Sequence, residues 1–186
     1  MSATRQPVRH GVRDFYETPI RRDVMANDEW RTPRGIFAQL AARYGPFGLD
    51  VAATPENTLA PLFYTRADDG LRQPWGAAVW CNPPYSKAAG GPGPWVRKAL
   101  EETRSARCPI AVLLVPVDAT AWWDLIHTRA ADILYVSRRI AFLDQFGYPV
   151  SGNRHASAIA VFSGSTVGPV HYGQFVQSAE PEGRLP

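Results

Sequence analysis

The chain has 186 residues, 45% of them hydrophobic, enough for one domain with a buried core, which excludes a disordered tail protein or a small disulfide scaffold. Lysine and arginine total 20 against 17 acids, and this net charge of +3 is compatible with nucleic acid but too small to identify it as the partner. No apolar run reaches the ~18 residues of a membrane span, and the opening MSATRQPVRH lacks the apolar stretch of a signal peptide, so a soluble, cytoplasmic protein without a membrane partner is expected.

Arginine supplies 18 of the 20 cations, which fits either phosphate binding or a GC-rich coding sequence. Cys81 and Cys108 form no CxxC pair, and His10, His127, His155 and His171 lack metal-ligand spacing. Reduced, buried thiols and no bound metal are expected.

Residues 1–24 mix Arg5, Arg9, Arg13, Arg21 and Arg22 with Asp14, Glu17 and Asp23 and show little apolar periodicity, so they read as a weakly ordered basic arm. Order should begin near Asn27, and a single domain is expected over 25–177. Thr32-Pro33 predicts a helix start, with Thr32 as N-cap and Pro33 at the first helical position. Ile36, Phe37, Leu40, Ala41 and Tyr44 then recur on one helical face, and Gly45-Pro46 ends the helix. Residues 47–52 (FGLDVA) and 62–65 predict short strands, and 77–81 (AAVWC) a central parallel strand buried on both faces that stops at Asn82-Pro83-Pro84-Tyr85.

A flexible Ala/Gly/Pro stretch over 88–93 precedes a helix that Pro94 and Trp95 open and that runs to about Ser105. Residues 110–115 (IAVLLV) carry the strongest strand signal, and 122–129 read as a helix whose Trp122 and Trp123 face the core. Residues 133–136, 140–143 and 156–162 predict three more strands, the last two joined as a hairpin by the Gly/Pro/Asn-rich segment 147–153. From Ser178 the composition turns polar, so 178–186 reads as a frayed tail. Alternating strands and helices followed by two consecutive strands predict an α/β, mostly parallel sheet with helices on both faces and an antiparallel C-terminal hairpin at one edge.

In such sheets ligands bind beyond the carboxyl ends of the strands, which singles out Asp50 and the segment Asn82 to Tyr85. Pro84 keeps Pro83 out of helical geometry, so the backbone leaves the strand extended with the Pro83 carbonyl turned toward a ligand. The Asn82 side-chain oxygen is a second acceptor, and Tyr85 offers a flat ring. Two acceptors beside an aromatic plate suit a planar heterocycle bearing an exocyclic amine. Such an amine is a poor nucleophile because its lone pair is delocalised, and accepting its hydrogens out of the ring plane favours the reactive pyramidal nitrogen without a strong base.

The stretches DEWRTP, LDVAATPEN, DDGL..PW, VWCNPPYS, LLVPVDATAWWD, RRIAFL and ASAIAVF, in that order over about residues 27–163, resemble phage-encoded DNA N6-adenine methyltransferases of the Dam-like class, which use S-adenosylmethionine (SAM). The resemblance implies a class I SAM-dependent (Rossmann-like) methyltransferase fold, a phage or prophage origin within a bacterial cell, and transfer of a methyl group to the N6 amino group of a flipped-out adenine in double-stranded DNA. It implies that Asn82 and Pro83 hold the amino group, Pro84 fixes the turn and Tyr85 stacks on the base. It further implies that Trp30, Thr32 and Pro33 lie at the methionine part of SAM, Asp50 and Ala52 at the first cofactor-binding strand, and Asp69 near the SAM adenine. Ala52-Ala53-Thr54-Pro55 replaces the usual glycine-rich sequence, and Glu56, Asp68 and Asp69 all compete for the ribose. Residues 88–93 and 145–155, with Arg138, Arg139 and Arg154, are the segments available for reading DNA. The same acceptor pair would also serve a protein glutamine or an RNA adenine, and a silent nucleic-acid-binding module could share the scaffold.

Overall fold

The computed structural model describes residues 27–150, 153, 155–164 and 170–177. The predicted basic arm, the tail over 178–186 and Arg154 lie outside these residues.

Helix α1 (Arg34–Tyr44) leads into β1 (Leu49–Asp50) and β2 (Leu62–Phe63). There follow β3 (Val79–Cys81), α2 (Gly93–Arg104), β4 (Ile110–Pro116), α3 (Ala121–Arg129), β5 (Asp132–Val136), β6 (Ser157–Ser163) and β7 (His171–Phe175). The strands form one sheet in the order β2-β1-β3-β4-β6-β5-β7. All neighbours pair parallel except β6, which runs antiparallel to both β4 and β5.

The middle strands carry apolar residues in succession because both of their faces are covered. In β4 residues 111–115 are all buried. On one face α2 and α3 contribute Trp95, Val96, Ala99, Trp123 and Ile126, packed over Val79, Cys81, Leu113 and Phe162. On the other, Ile36 and Leu40 of α1 pack with Trp80, Val112, Leu114 and Ile159. Helices therefore cover both faces, and Trp123 is a core residue whose indole N–H donates to the Pro116 carbonyl at 2.9 Å. Cys81 and Cys108 are both buried and unpaired. Among the described residues no helix is long and apolar enough to cross a membrane.

Several expectations need correction. The antiparallel part is not an edge hairpin: β6 sits inside the sheet, and residues 140–143 form no strand of it. Ile140 and Phe142 instead press onto the α1 side of the sheet, and only Leu143 makes isolated bridges, to Arg31 and Pro149. The outermost strand is β7, which pairs parallel to β5 and went unpredicted because only Phe175 of its residues is buried. Pro33, not Thr32, is the N-cap of α1, since its ψ of 135° is still extended and no side chain caps the helix. The stretch over 88–93 is folded: Ser86 caps a short 3-10 turn, which Gly90 and Gly91 close at φ values of +84° and +63°.

Candidate active site

The chain leaves β1 for β2 on one side and then returns to β3 on the other, so the sheet order reverses between β1 and β3. A crevice opens beyond the carboxyl ends of those two strands. It has a volume of about 680 Å³, and its walls come from four stretches, represented by Asp28 and Arg31, by Ala52 and Glu56, by Asp69 and Gly70, and by Pro84 and Ala88, with Trp95 of α2 and Gln145.

The wall after β1 is shaped from beneath. Asp50 is buried, and its carboxylate accepts the backbone N–H groups of Ala52 (3.4 Å) and Leu59 (3.3 Å), folding the segment between them into a loop. Burial pushes the Asp50 carboxyl up from 3.8 to about 6, against the pull of those two donors. The wall from 65–71 is a turn in which the Asp68 carboxylate accepts from the Thr65 N–H (2.8 Å) and hydroxyl (2.6 Å). Gly70 lets this turn touch β1: a Cβ there would lie 2.2 Å from the Val51 carbonyl and 3.3 Å from the Trp95 ring. A side chain at position 70 would therefore push the two walls apart.

The third wall is held by Asp28. One carboxylate oxygen accepts the N–H groups of Tyr85 and Ser86, each at 2.7 Å, and the other accepts the Ser86 hydroxyl. The segment preceding α1 is thereby tied to the loop that follows β3. Arg31 is anchored by two backbone hydrogen bonds with Leu143, of 2.8 and 2.9 Å. The crevice is lined by four acids, Asp28, Glu29, Glu56 and Asp69, and by Arg31 and Arg66. Hydrogen bonding to Thr54 holds the Glu56 carboxyl below its usual value, and the charge of Arg31 acts in the same direction.

Asn82 ends β3 beside this crevice. Its side-chain N–H donates to the Trp30 carbonyl at 3.3 Å, an orientation that leaves Oδ1 as a buried acceptor without a partner. The Trp30 and Trp95 indole N–H groups and the Thr32 hydroxyl are likewise buried and unpartnered. An unmade hydrogen bond on a buried polar group costs about 1–3 kcal/mol; of these four groups, which lack a partner among the described residues, Trp95 lines the crevice and the other three lie in the segments that flank it. Tyr85 is half-buried, its hydroxyl donating to the Leu114 carbonyl at 3.2 Å and its ring edge-on to Phe142 at 6.4 Å. Burial raises its phenol well above the usual value, so it stays protonated.

Of the residues expected from sequence, Ala52, Asp69 and Pro84 line the crevice. Glu56 lines it too, whereas Asp68 is engaged with Thr65. Trp30 and Asn82 are joined to each other, Tyr85 is held by Asp28, and Asp50 braces the wall from below. Trp30, Thr32, Pro33, Asp50, Asn82, Pro83 and Tyr85 are not among the lining residues. Asp28, Arg31, Gly70 and Trp95 were missed. Asp28 and Arg31 lie inside DEWRTP and Gly70 inside DDGL, so the stretches were visible while the roles were not.

The family model for DNA N-6-adenine-methyltransferase (Dam) matches residues 13–175. The DNA N-6-adenine-methyltransferase of Escherichia phage T1 is 32% identical over 167 residues, a match spanning 80% of this chain and 68% of the relative. The protein of the same name from Haemophilus phage HP1 is 29% identical over 139 residues, or 73% of this chain and 78% of the relative.

Proposed function

Because the chain belongs to the DNA N-6-adenine-methyltransferase (Dam) family, we propose that it transfers a methyl group from SAM to the N6 amino group of an adenine turned out of double-stranded DNA. The observation that carries this reading is the buried, unpartnered Asn82 Oδ1 at the end of β3, beside a crevice that Pro84 lines. A single reversed strand within a parallel sheet and a crevice at the β1/β3 reversal support a class I, Rossmann-like scaffold.

The lining of the crevice fits SAM. Arg31 is a guanidinium for a carboxylate, Asp28 and Glu29 are acids for an ammonium, and Glu56 and Asp69 are acceptors for ribose hydroxyls. The Trp95 indole N–H is an unpartnered donor on the same wall. Trp30, Thr32 and Pro33 carry Arg31 and belong to the methionine end, while Asp50 and Ala52 shape the wall after β1. When bound, SAM supplies a methyl carbon activated by a sulfonium. Asn82 Oδ1 and the Pro83 carbonyl accept the two amino hydrogens, Pro84 keeps the turn extended, and the Tyr85 ring stacks on the base. Anchored at its hydroxyl, that ring loses little rotamer freedom when the base arrives.

Incubating the protein with methyl-labelled SAM and, separately, with double-stranded DNA, RNA or glutamine-containing protein tests the reading. Label is expected at adenine N6 in DNA. Label entering only RNA or protein overturns it.

Two further results are expected. Arg31→Ala should weaken SAM binding about tenfold by calorimetry, the loss of one charge-assisted contact, with Arg31→Lys recovering part of it. Unchanged affinity would move the carboxylate elsewhere. Asp28→Ala removes three hydrogen bonds on the Asn82–Ser86 segment, and turnover should fall roughly twentyfold at saturating SAM. Asp28→Asn keeps an oxygen for the two backbone N–H groups and should retain most of the activity. If Asn and Ala behave alike, charge at position 28 matters rather than the tether.

A further inference from the structure

Residues 143–150 form a turn closed by several internal hydrogen bonds. The Leu143 backbone pairs with Arg31, the Val150 N–H donates to the Phe142 carbonyl at 2.8 Å, and the Asp144 N–H donates to the Tyr148 carbonyl at 2.9 Å. One Asp144 carboxylate oxygen accepts the N–H groups of Phe146 (2.8 Å) and Tyr148 (2.9 Å), and Gly147 closes the turn at a φ of +86°. All this bracing presents Phe146, 74% exposed, and Tyr148, 59% exposed, at the tip. Gln145 of the same turn lines the crevice, so the tip stands at its rim.

Packing within the chain does not account for this arrangement. A phenylalanine left in water forgoes the stabilisation of burial, and a rigid backbone beneath it means the ring cannot fold back to recover it. A rigid, exposed aromatic beside a site is matched by a partner with flat aromatic surfaces. The approach to the turn carries Arg138 and Arg139, both exposed, the latter donating to the Asn153 carbonyl at 3.1 Å. Exposed cations in the segment that leads to an apolar tip fit a stack of bases edged by phosphates.

We propose that Phe146 enters the base stack of duplex DNA at the target position and fills the gap left by the departing adenine. This rests on the adenine-methyltransferase reading. Turning a base out costs a few kcal/mol of unstacking, and a ring already held in place offsets part of that cost without being ordered first. Phe146 is thus a positioning residue for the duplex, distinct from the groups that hold the base.

The test uses two duplexes bearing the methylated sequence, once it has been read from modified DNA: one with the target adenine paired to thymine, the other with it opposite an abasic position. Phe146→Ala should lower methylation of the paired duplex at least about tenfold and of the abasic-partner duplex less than about twofold, since the second adenine is already unpaired. Phe146→Trp should restore the paired duplex, and SAM affinity by calorimetry should match the wild type in both variants. Equal activity of Phe146→Ala and wild type on the paired duplex, or equal losses on both duplexes, overturns the proposal while leaving the methyltransferase reading intact. If DNA exposed to the wild-type protein and SAM carries no modified adenine from which to read that sequence, the methyltransferase reading is itself overturned.

Discussion

Asn82→Ala is expected to lower the methylation rate about 10²–10³-fold while changing SAM affinity by less than about threefold, because the lost acceptor acts on charge that develops as the amine reacts. In free adenine the N6 lone pair is shared with the ring, and the nitrogen is flat. Attack requires it to become pyramidal, and an oxygen that accepts a hydrogen out of the ring plane binds that shape better than the flat one, which is the condition for acceleration. Asn82 fits the proposed role: one of its two amide N–H groups donates to the Trp30 carbonyl, which orients the side chain, and its oxygen has no partner among the described residues. Single-turnover measurements with labelled SAM should show kcat and kcat/KM falling together, the pattern of an interaction made in the transition state. Wild-type turnover in this variant would remove Asn82 from the mechanism. Asn82→Asp keeps an acceptor but breaks the tether to Trp30, so its activity should lie between the two.

The elements that read correctly from sequence are those whose residues are apolar for one reason. In β3, β4 and β6 successive residues are buried because both faces are covered, and an unbroken apolar run reports that directly. Residues 140–143 (IAFL) are apolar for a different reason. Ile140 and Phe142 cover a face of the sheet without extending it, and hydrophobicity records burial, not which backbone groups are paired. The edge strand β7 shows the converse, with backbone pairing to β5 through five residues of which one is buried. Its composition, HYGQF, has no periodic signal to read.

At the site, the NPPY segment was legible because its chemistry is local: two acceptors, two prolines and a ring in sequence order. Relations between distant segments were not. Nothing in Asp28 itself indicates that it will grip Tyr85 and Ser86 across more than 50 residues of chain. Nor does Gly70 announce in sequence that it lets the 65–71 turn pack against Val51 and Trp95, which only the fold reveals. Asp50 stands at the carboxyl end of β1, as read from sequence, and its burial beneath the wall is a feature that the sequence did not specify.

That depth makes the pH dependence of stability informative. The folded chain holds a proton on Asp50 up to about pH 6, whereas an exposed aspartate releases it near 3.8. Between those values the native state binds more protons than the unfolded chain, so stability contributed at this position falls as pH rises, and is level above about 6. A rise of that size corresponds to roughly 3 kcal/mol. Other carboxylates run the opposite way: Asp68, bonded to Thr65, and Glu56 are both held below their usual values, so raw stability curves mix the two signs. Cys81, the titratable neighbour of Asp50, is pushed up by burial and stays neutral through the window. Comparison with Asp50→Asn isolates the effect, since the amide cannot ionise and its loss of one backbone hydrogen bond is the same at every pH. Urea unfolding of both proteins from about pH 4 to about pH 7 should show the wild type losing about 2 kcal/mol of that roughly 3 relative to the variant, with the change centred near pH 5. SAM, which brings positive charge into the crevice above Asp50, should favour the ionised carboxylate and shift that change to lower pH. A wild-type-to-variant difference that does not vary with pH would mean that Asp50 ionises as freely as in the unfolded chain, and the loop over 52–59 would then have to be held by something other than a desolvated carboxylate.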